Sequence, residues 1–184
     1  MSGPDPREEL VEHLPALRAF ALSLTRNRAT ADDMMQDTVL KAWTNIEKFQ
    51  PGTNMRAWLF TILRNNFYTS RRKLNREVAD VDNVFSEKMS VKPDHDGRLQ
   101  MKDFRAAFDL LPDEQREALI LVGASGFSYE EAGNMCGVAT GTMKSRVNRA
   151  RAKLTELLAL DEREALELTD SATMAVVGTS GLPS

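Results

Sequence analysis

The sequence has 184 residues, of which 42% are hydrophobic and 28% charged, and its formal net charge is −3. This length and composition are typical of one medium-sized globular domain or of two small ones joined by a linker. The single Cys136 excludes an internal disulfide, and with only His13 and His95 beside it we expect no metal site and no cofactor. No apolar run reaches the ~20 residues of a membrane helix, so we expect a cytoplasmic protein without a membrane partner.

The charge is distributed unevenly along the chain. Residues 48–76 carry a net charge of +7 and residues 132–155 a net charge of +5, and neither segment contains an acidic residue. The segments around them are acidic, so that the total remains slightly negative. A polyanion would therefore meet two separate basic surfaces, which favours a nucleic-acid partner.

The first segment with a clear period runs from Leu10 to Leu24, where apolar residues recur at helical spacing. Pro15 interrupts the pattern and predicts a kink or a late helix start, because proline lacks the amide hydrogen of a helix interior. A second helix is predicted from about Thr30 to Ile46, with Thr30 as its N-cap and Asp32 and Asp33 at its positive end. Its predicted buried stripe is Ala31, Met35, Val39, Ala42 and Ile46.

A third helix is predicted from about residue 54 to residue 74, after a turn at Pro51 and Gly52. Its predicted inward residues are Met55, Leu59, Ile62 and Leu63. Three such helices can pack as one bundle, which we assign to residues 8–76. The next segment, residues 77–97, loses the helical period, contains six acidic residues against two lysines, and is predicted to be a linker.

Helical spacing resumes in residues 98–160, which we assign to a second domain. A helix is predicted to begin at Pro112 and to end at Gly126. Ser128 and Glu131 have the S-x-x-E spacing of a capping box, which predicts another helix start. The remaining residues, 161–184, are acidic and then rich in serine, threonine and glycine, and are predicted to be a disordered tail.

Residues 128–158 indicate a helix, a tight turn at Gly137 and a second helix, which is the pattern of a helix-turn-helix. In the second helix the predicted core positions are Met143, Val147, Ala150 and Leu154. The opposite face would present Gly141, Lys144, Ser145, Asn148 and Arg149. A helix with such a face fits the major groove of DNA. The alternative is a solvated charged face, but such a face usually mixes positive and negative residues.

The other basic segment mixes cations with aromatic residues, which are Trp58, Phe60, Phe67 and Tyr68. Single-stranded DNA binding uses this mixture, because bases stack on aromatic rings while phosphates pair with arginine. Trp58 and Phe67 could equally be core residues. By itself this segment supports nucleic-acid binding and no narrower function.

Three stretches, taken in order, resemble the extracytoplasmic-function sigma factors of the sigma-70 family. Residues 32–43 (DDMMQDTVLKAW) resemble region 2.2, and residues 58–65 (WLFTILRN) resemble the part that opens and reads the −10 element. The Leu-Pro pair at 111–112, residues 127–131 (FSYEE) and residues 141–151 (GTMKSRVNRAR) resemble region 4. The resemblance implies an all-α fold with two small domains, a region 2 bundle of three or four helices and a region 4 helix-turn-helix, joined by the acidic linker.

The family implies a role for each matching residue. The contacts to the clamp of core RNA polymerase would be Asp32, Asp33, Gln36 and Asp37. The contacts to −10 DNA would be Lys48, Asn54, Arg56, Thr61, Arg64, Asn65, Arg71 and Arg72, with the turn from Lys48 to Asn54 capturing a flipped base. The −35 bases would be read by Lys144, Ser145, Asn148 and Arg149. The −35 phosphates would be held by Thr142, Arg146 and Arg151.

Residues 62–68 and 121–132 also resemble the EcfG-type subgroup, which directs general stress responses. This implies promoter DNA, the polymerase clamp and flap, and a small soluble anti-sigma factor as partners. A sigma-like mimic that only sequesters an anti-sigma factor is an alternative, although such mimics carry a receiver domain for which 184 residues leave no room. A stand-alone helix-turn-helix regulator would explain residues 100–158 but not the first bundle. An enzyme is not expected, because no nucleophile–base pair is readable.

Overall fold

The computed structural model describes residues 5–79, 101–158 and 173, and the regular structure within them is helical throughout, which confirms the all-α prediction. The chain divides into two compact units, Met1–Lys88 and Met89–Ser184. From residue 80 onward the predicted linker lies outside the described residues. The predicted tail does so too, except for Thr173, which is helical and buried.

The described part of the first unit, residues 5–79, is built from four helices and a short 3₁₀ turn. The helices are α1 (Pro6–Glu12), α2 (Leu14–Thr25), α3 (Arg28–Thr44) and α4 (Met55–Ala79), with the 3₁₀ turn at Ile46–Lys48. The helix break predicted from Pro15 is confirmed, since α1 ends before His13 and α2 begins with the proline in its first turn. The third helix was predicted too short, because no glycine or proline stops α4 between residue 74 and residue 79.

The predicted N-cap of the second long helix was wrong. Asn27 caps α3, and its side-chain oxygen accepts a hydrogen bond from the backbone N–H of Thr30 at 2.9 Å. Thr30 is therefore the third helical residue, and Asp32 and Asp33 lie beyond the first turn. The favourable interaction with the helix dipole that we predicted for these two acids is consequently weak, because it falls off within one turn.

The core of the first unit lies between α2, α3 and α4. The rings of Phe20 and Phe60 stack there with centroids 4.5 Å apart, and each side chain is at most 2% exposed. Phe60 thus occupies an inward position of α4, whereas Ile62, which was predicted inward, is half-buried. The Thr38 hydroxyl, fully buried, accepts a hydrogen bond from Asn66 Nδ2 at 3.0 Å and ties α3 to α4.

The second unit contains a helix-turn-helix. Its elements are α5 (Met101–Asp109), α6 (Asp113–Leu119), a π-helical turn (Ile120–Ala124), α7 (Tyr129–Cys136) and α8 (Thr140–Leu158). The sequence predicted one helix from Pro112 to Gly126 and missed the π-helical turn, in which the Ser125 N–H reaches back five residues to the carbonyl of Ile120 at 2.8 Å. Gly126 then has a φ of 74°, and the chain leaves the helix there.

The turn between α7 and α8 is closed by two glycines. Gly137 caps α7 with a φ of 67°, a conformation that side chains disfavour. Gly133 lies against the backbone of this turn, where an added Cβ would be 2.9 Å from the carbonyl oxygen of Val138. At the other end of α7 the predicted capping box is confirmed, since Ser128 and Glu131 exchange side-chain-to-backbone hydrogen bonds of 2.8 and 3.0 Å.

Candidate functional site

Helix α8 has one fully buried face and one exposed face. The predicted core residues Met143, Val147, Ala150 and Leu154 are all 0% exposed, which confirms the assignment of the buried stripe. The opposite face exposes Gly141, Thr142, Lys144, Ser145, Asn148 and Arg149. This surface combines two cations with hydroxyl and amide groups and contains no acidic residue. It can therefore donate hydrogen bonds to phosphates and to acceptors on base edges.

The two remaining predicted phosphate ligands of α8 lie on the flanks of this face. Arg151 is half-buried. The side chain of Arg146 is only 16% exposed, and its Nη2 lies 3.4 Å from Oε2 of Glu114 on α6. The structure therefore does not bring Arg146 onto the same exposed surface as Lys144 and Arg149.

The predicted −10 residues fall into three places. Lys48 is exposed in the 3₁₀ turn, and Asn54 is exposed as the N-cap of α4, where its Oδ1 accepts a hydrogen bond from the Ala57 N–H at 3.0 Å. The other predicted residues lie along α4. Two of them, Asn65 and Arg72, are exposed, and the rest are half-buried: Arg56, Thr61, Arg64 and Arg71. The surface is thus a track of cations and amides along one long helix.

The aromatic residues of this segment divide between core and surface. Phe60 and Phe67 are at most 4% exposed, so both are core residues. The core alternative is thereby confirmed for Phe67, and the stacking role considered for Phe60 was wrong. Trp58 and Tyr68 are half-buried and can still present part of a ring. The guanidinium of Arg64 lies 4.6 Å from the centroid of the Tyr68 ring, a cation–π arrangement that holds the cation on the helix surface.

The predicted polymerase contacts lie on α3. Asp33, Gln36 and Asp37 are exposed, whereas Asp32 is half-buried and accepts a hydrogen bond from Arg18 Nε at 3.1 Å. Asp32 is consequently less available to a partner than the other three residues.

A groove that the sequence did not predict runs beside these polar residues. It has a volume of about 560 Å³ and is lined by Leu14, Arg18, Asp32, Met35, Gln36, Val39, Leu40 and Trp43. Met35 and Val39 were predicted to be core residues, but the buried stripe of α3 is Ala31, Met34, Thr38 and Ala42. Leu40 and Trp43 are 66% and 47% exposed, which is unusual for such large apolar side chains. The second apolar stripe of α3 was the sequence pattern that could have revealed the groove.

Within the described residues, no three histidine, cysteine, aspartate or glutamate side chains come together in a way that could hold a metal ion. None of the helices described in these ranges combines the length and the apolar character that crossing a membrane requires. The geometry of the described residues therefore presents two basic helical surfaces and one apolar groove with a polar rim.

Two family models match the sequence. Residues 10–77 match sigma-70 region 2, and residues 101–154 match sigma-70 region 4. The chain is also 52% identical to the ECF RNA polymerase sigma factor EcfG of Rhodopseudomonas palustris over 175 residues, which is 95% of this chain and 96% of the relative.

Two complexes are among the solved structures that contain a chain similar to this one. One is the sigma factor RpoE of Bartonella quintana in complex with the anti-sigma factor NepR, with a TM-score of 0.73 and 53% identity over 86% of this chain and 99% of that one. The other is CnrH in complex with the cytosolic domain of CnrY, with a TM-score of 0.58 and 29% identity over 83% of this chain and 86% of that one.

Proposed function

This chain belongs to the extracytoplasmic-function branch of the sigma-70 family, and we propose that α4 and α8 contact the −10 and −35 elements of one promoter. It is a transcription initiation factor that directs RNA polymerase to promoters, and such factors are not enzymes. The observation that carries the proposal is the exposed surface of α8 from Gly141 to Arg149, which contains no acidic residue and lies opposite a fully buried stripe.

We assign binding of the −35 element to the second unit, in which the sequence predicts a domain of residues 98–160. Lys144, Ser145, Asn148 and Arg149 would read base edges, and Thr142 and Arg151 would hold phosphates. The buried stripe of α8 supports this assignment, because it orients the helix and gives the exposed side chains a fixed direction. A helix held in this way can enter the major groove as a rigid body.

We assign binding of the −10 element to the first unit, in which the sequence predicts a domain of residues 8–76. Lys48 and Asn54 flank the turn that would capture a flipped base, and the cations of α4 would follow the backbone of the melted strand. The exposure of Asn65 and Arg72 supports this arrangement. The predicted linker of residues 77–97, whose first three residues lie in α4, would let the two units reach elements at separate distances from the start site. No role is assigned to residues 161–184.

Core RNA polymerase is the partner assigned to α3. Asp33, Gln36 and Asp37 would form the polar contact with the clamp, together with Asp32 once Arg18 is displaced. An apolar groove with a polar rim is the usual anatomy of a protein–protein contact, which supports this face as a docking site. The polymerase flap would receive the second unit. Because transcription is cytoplasmic in a cell without a nucleus, the function implies a cytoplasmic location.

We assign a small soluble anti-sigma factor as the regulator of the chain. The support comes from the relatives, because the similar RpoE was solved with NepR and the similar CnrH with the cytosolic domain of CnrY. The likeness to EcfG supports a general stress response as the programme that is regulated.

Run-off transcription with purified core polymerase tests the promoter assignment. We expect Arg149→Glu to reduce transcription at least tenfold while leaving assembly with the polymerase unchanged, because a carboxylate in the groove repels phosphate and no longer donates to a base. Lys102→Glu is the matched control, since it reverses an exposed charge of α5 in the same unit. Transcription by the Arg149 variant at the wild-type level would contradict the role of α8. A mimic would differ by supporting no transcription in wild-type form.

Assembly with core polymerase tests the role of α3. We expect Asp37→Lys to weaken the complex about tenfold, because it places a cation on the proposed contact surface in place of an anion. Glu12→Lys reverses an exposed charge of α1 and serves as the control. Equal effects of the two variants, measured by fluorescence anisotropy of labelled chain, would show that net charge and not the α3 surface determines assembly.

A further inference from the structure

We propose that Arg146 is a positioning residue for promoter recognition: its ion pair with Glu114 fixes α8 on α6, and it does not contact phosphate. The inference rests on the proposed function, in which α8 reads −35 DNA. It reassigns a residue that the family resemblance places among the phosphate ligands. The observation behind it is the separation of 3.4 Å between Arg146 Nη2 and Glu114 Oε2 across the two helices.

The position of Arg146 on α8 explains why it faces the protein. Met143 precedes it by three residues and Ala150 follows it by four, and both are 0% exposed. Residues at these spacings lie on one face of a helix, so the stem of Arg146 runs along the edge of the core. Its side chain is 16% exposed, in contrast to the exposed residues Lys144 and Arg149.

The guanidinium of Arg146 is poorly placed to bind DNA. Its Nη1 is buried and has no hydrogen-bond partner among the residues that the structure describes, so a phosphate oxygen cannot reach that atom without a rearrangement. Its Nη2 faces the carboxylate of Glu114. A phosphate arriving at the same guanidinium would be repelled by this carboxylate at short range.

Helix α6 is well suited to hold α8 in place. Its first turn carries two acids, Asp113 and Glu114. Asp113 binds Arg116 of the same helix at 2.6 Å, and Arg116, which is fully buried, also donates to the carbonyl of Leu111 at 2.9 Å. Glu114, the next residue of α6, forms its ion pair with Arg146 of α8. The anchored first turn of α6 thus provides a fixed point for the helix that reads DNA.

A phosphate contact and a positioning contact at Arg146 predict different salt dependence of the affinity for promoter DNA. Each phosphate contact releases counterions and contributes about −0.9 to the slope of log K against log salt concentration. Loss of a phosphate ligand therefore makes the slope shallower by about 0.9. Loss of a positioning contact weakens binding but leaves the number of phosphate contacts unchanged, so the slope stays the same.

The test uses holoenzyme assembled from core polymerase and the full chain. The probe is a duplex promoter fragment selected by the wild-type holoenzyme from a random library, and a fragment without its −35 element is the control template. The variants are Glu114→Gln, Arg146→Gln, the double variant, and the charge exchange of Glu114→Arg with Arg146→Glu. Arg151→Gln reports the behaviour of a residue that is assigned to a phosphate.

We expect each single variant to weaken binding to the complete promoter about threefold to tenfold, and the double variant to be no weaker than either single one. The charge exchange should recover at least half of the loss, and the slope should not change. Binding to the template without a −35 element should be unaffected, which separates positioning from a general loss of folding. Arg151→Gln should make the slope shallower by about 0.9.

The opposite pattern would overturn the inference. If Arg146→Gln makes the slope shallower by about 0.9 and the charge exchange abolishes binding, Arg146 contacts phosphate directly. If Glu114→Gln leaves binding unchanged or strengthens it, Arg146 does not act through Glu114. A failure of the proposed function looks different, because Arg151→Gln would then also have no effect on either affinity or slope.

Discussion

The close approach of Gly133 to the turn between α7 and α8 allows a sharp test of the helix-turn-helix. In Gly133→Ala the new Cβ would lie 2.9 Å from the carbonyl oxygen of Val138, whereas carbon–oxygen contacts are normally about 3.3–3.6 Å. The turn must therefore move by about half an ångström. It cannot move freely, because the Val138 N–H donates to the Gly133 carbonyl at 2.9 Å.

The expected change in the free energy of unfolding for Gly133→Ala has three contributions. Overpacking against backbone costs about 1–3 kcal/mol. Weakening the hydrogen bond of Val138 costs about 1 kcal/mol, and this roughly cancels the gain of about 1 kcal/mol from replacing glycine by alanine in a helix. The free energy of unfolding should therefore fall by about 1–3 kcal/mol, which lowers the melting temperature of a unit of this size by at least about 4 °C.

Two spectroscopic probes together can assign the loss of stability to one unit. Both tryptophans, Trp43 and Trp58, lie in the first unit, so tryptophan fluorescence reports its unfolding, while far-UV circular dichroism reports both units. We expect Gly133→Ala to lower the circular-dichroism transition and to leave the fluorescence transition unchanged. Gly141→Ala is the matched control, because nothing lies within 4 Å of its added Cβ and it should be neutral or stabilising. A Gly133 variant as stable as this control would refute the steric argument.

Two further predictions concern stability. Ser128→Ala removes the acceptor of the capping box and should destabilise the second unit by about 1 kcal/mol in urea unfolding; an unchanged midpoint would mean that solvent replaces the cap. Phe60→Ala removes a ring that stacks on Phe20 in the core and should destabilise the first unit by about 3–5 kcal/mol, as measured by tryptophan fluorescence. If Thr61→Ala, the neighbouring half-buried position, costs as much, core packing is not the cause.

Local rules were enough to predict the features of α7 and α8. A capping box depends on residues three positions apart, and the inward stripe of α8 has apolar residues on one face only, so that Met143 and Leu154 had a single possible orientation. The helix break near Pro15 follows in the same way from the chemistry of one residue. Such features depend on residues that lie close together in the sequence, and for this reason the sequence is enough to predict them.

Packing decided the features for which the sequence offered two solutions. Helix α3 carries apolar residues on two faces, and only contact with α2 and α4 selects Met34 as the core residue and leaves Met35 in the groove. Arg146 has the same local pattern as an exposed cation, yet its partner Glu114 is 32 positions earlier in the sequence. The sequence by itself determined which segments are helical and where the positive charge is concentrated. Only the tertiary structure decided which of the two apolar faces of α3 is buried and that Arg146 faces α6, because those choices depend on neighbours that are distant along the chain.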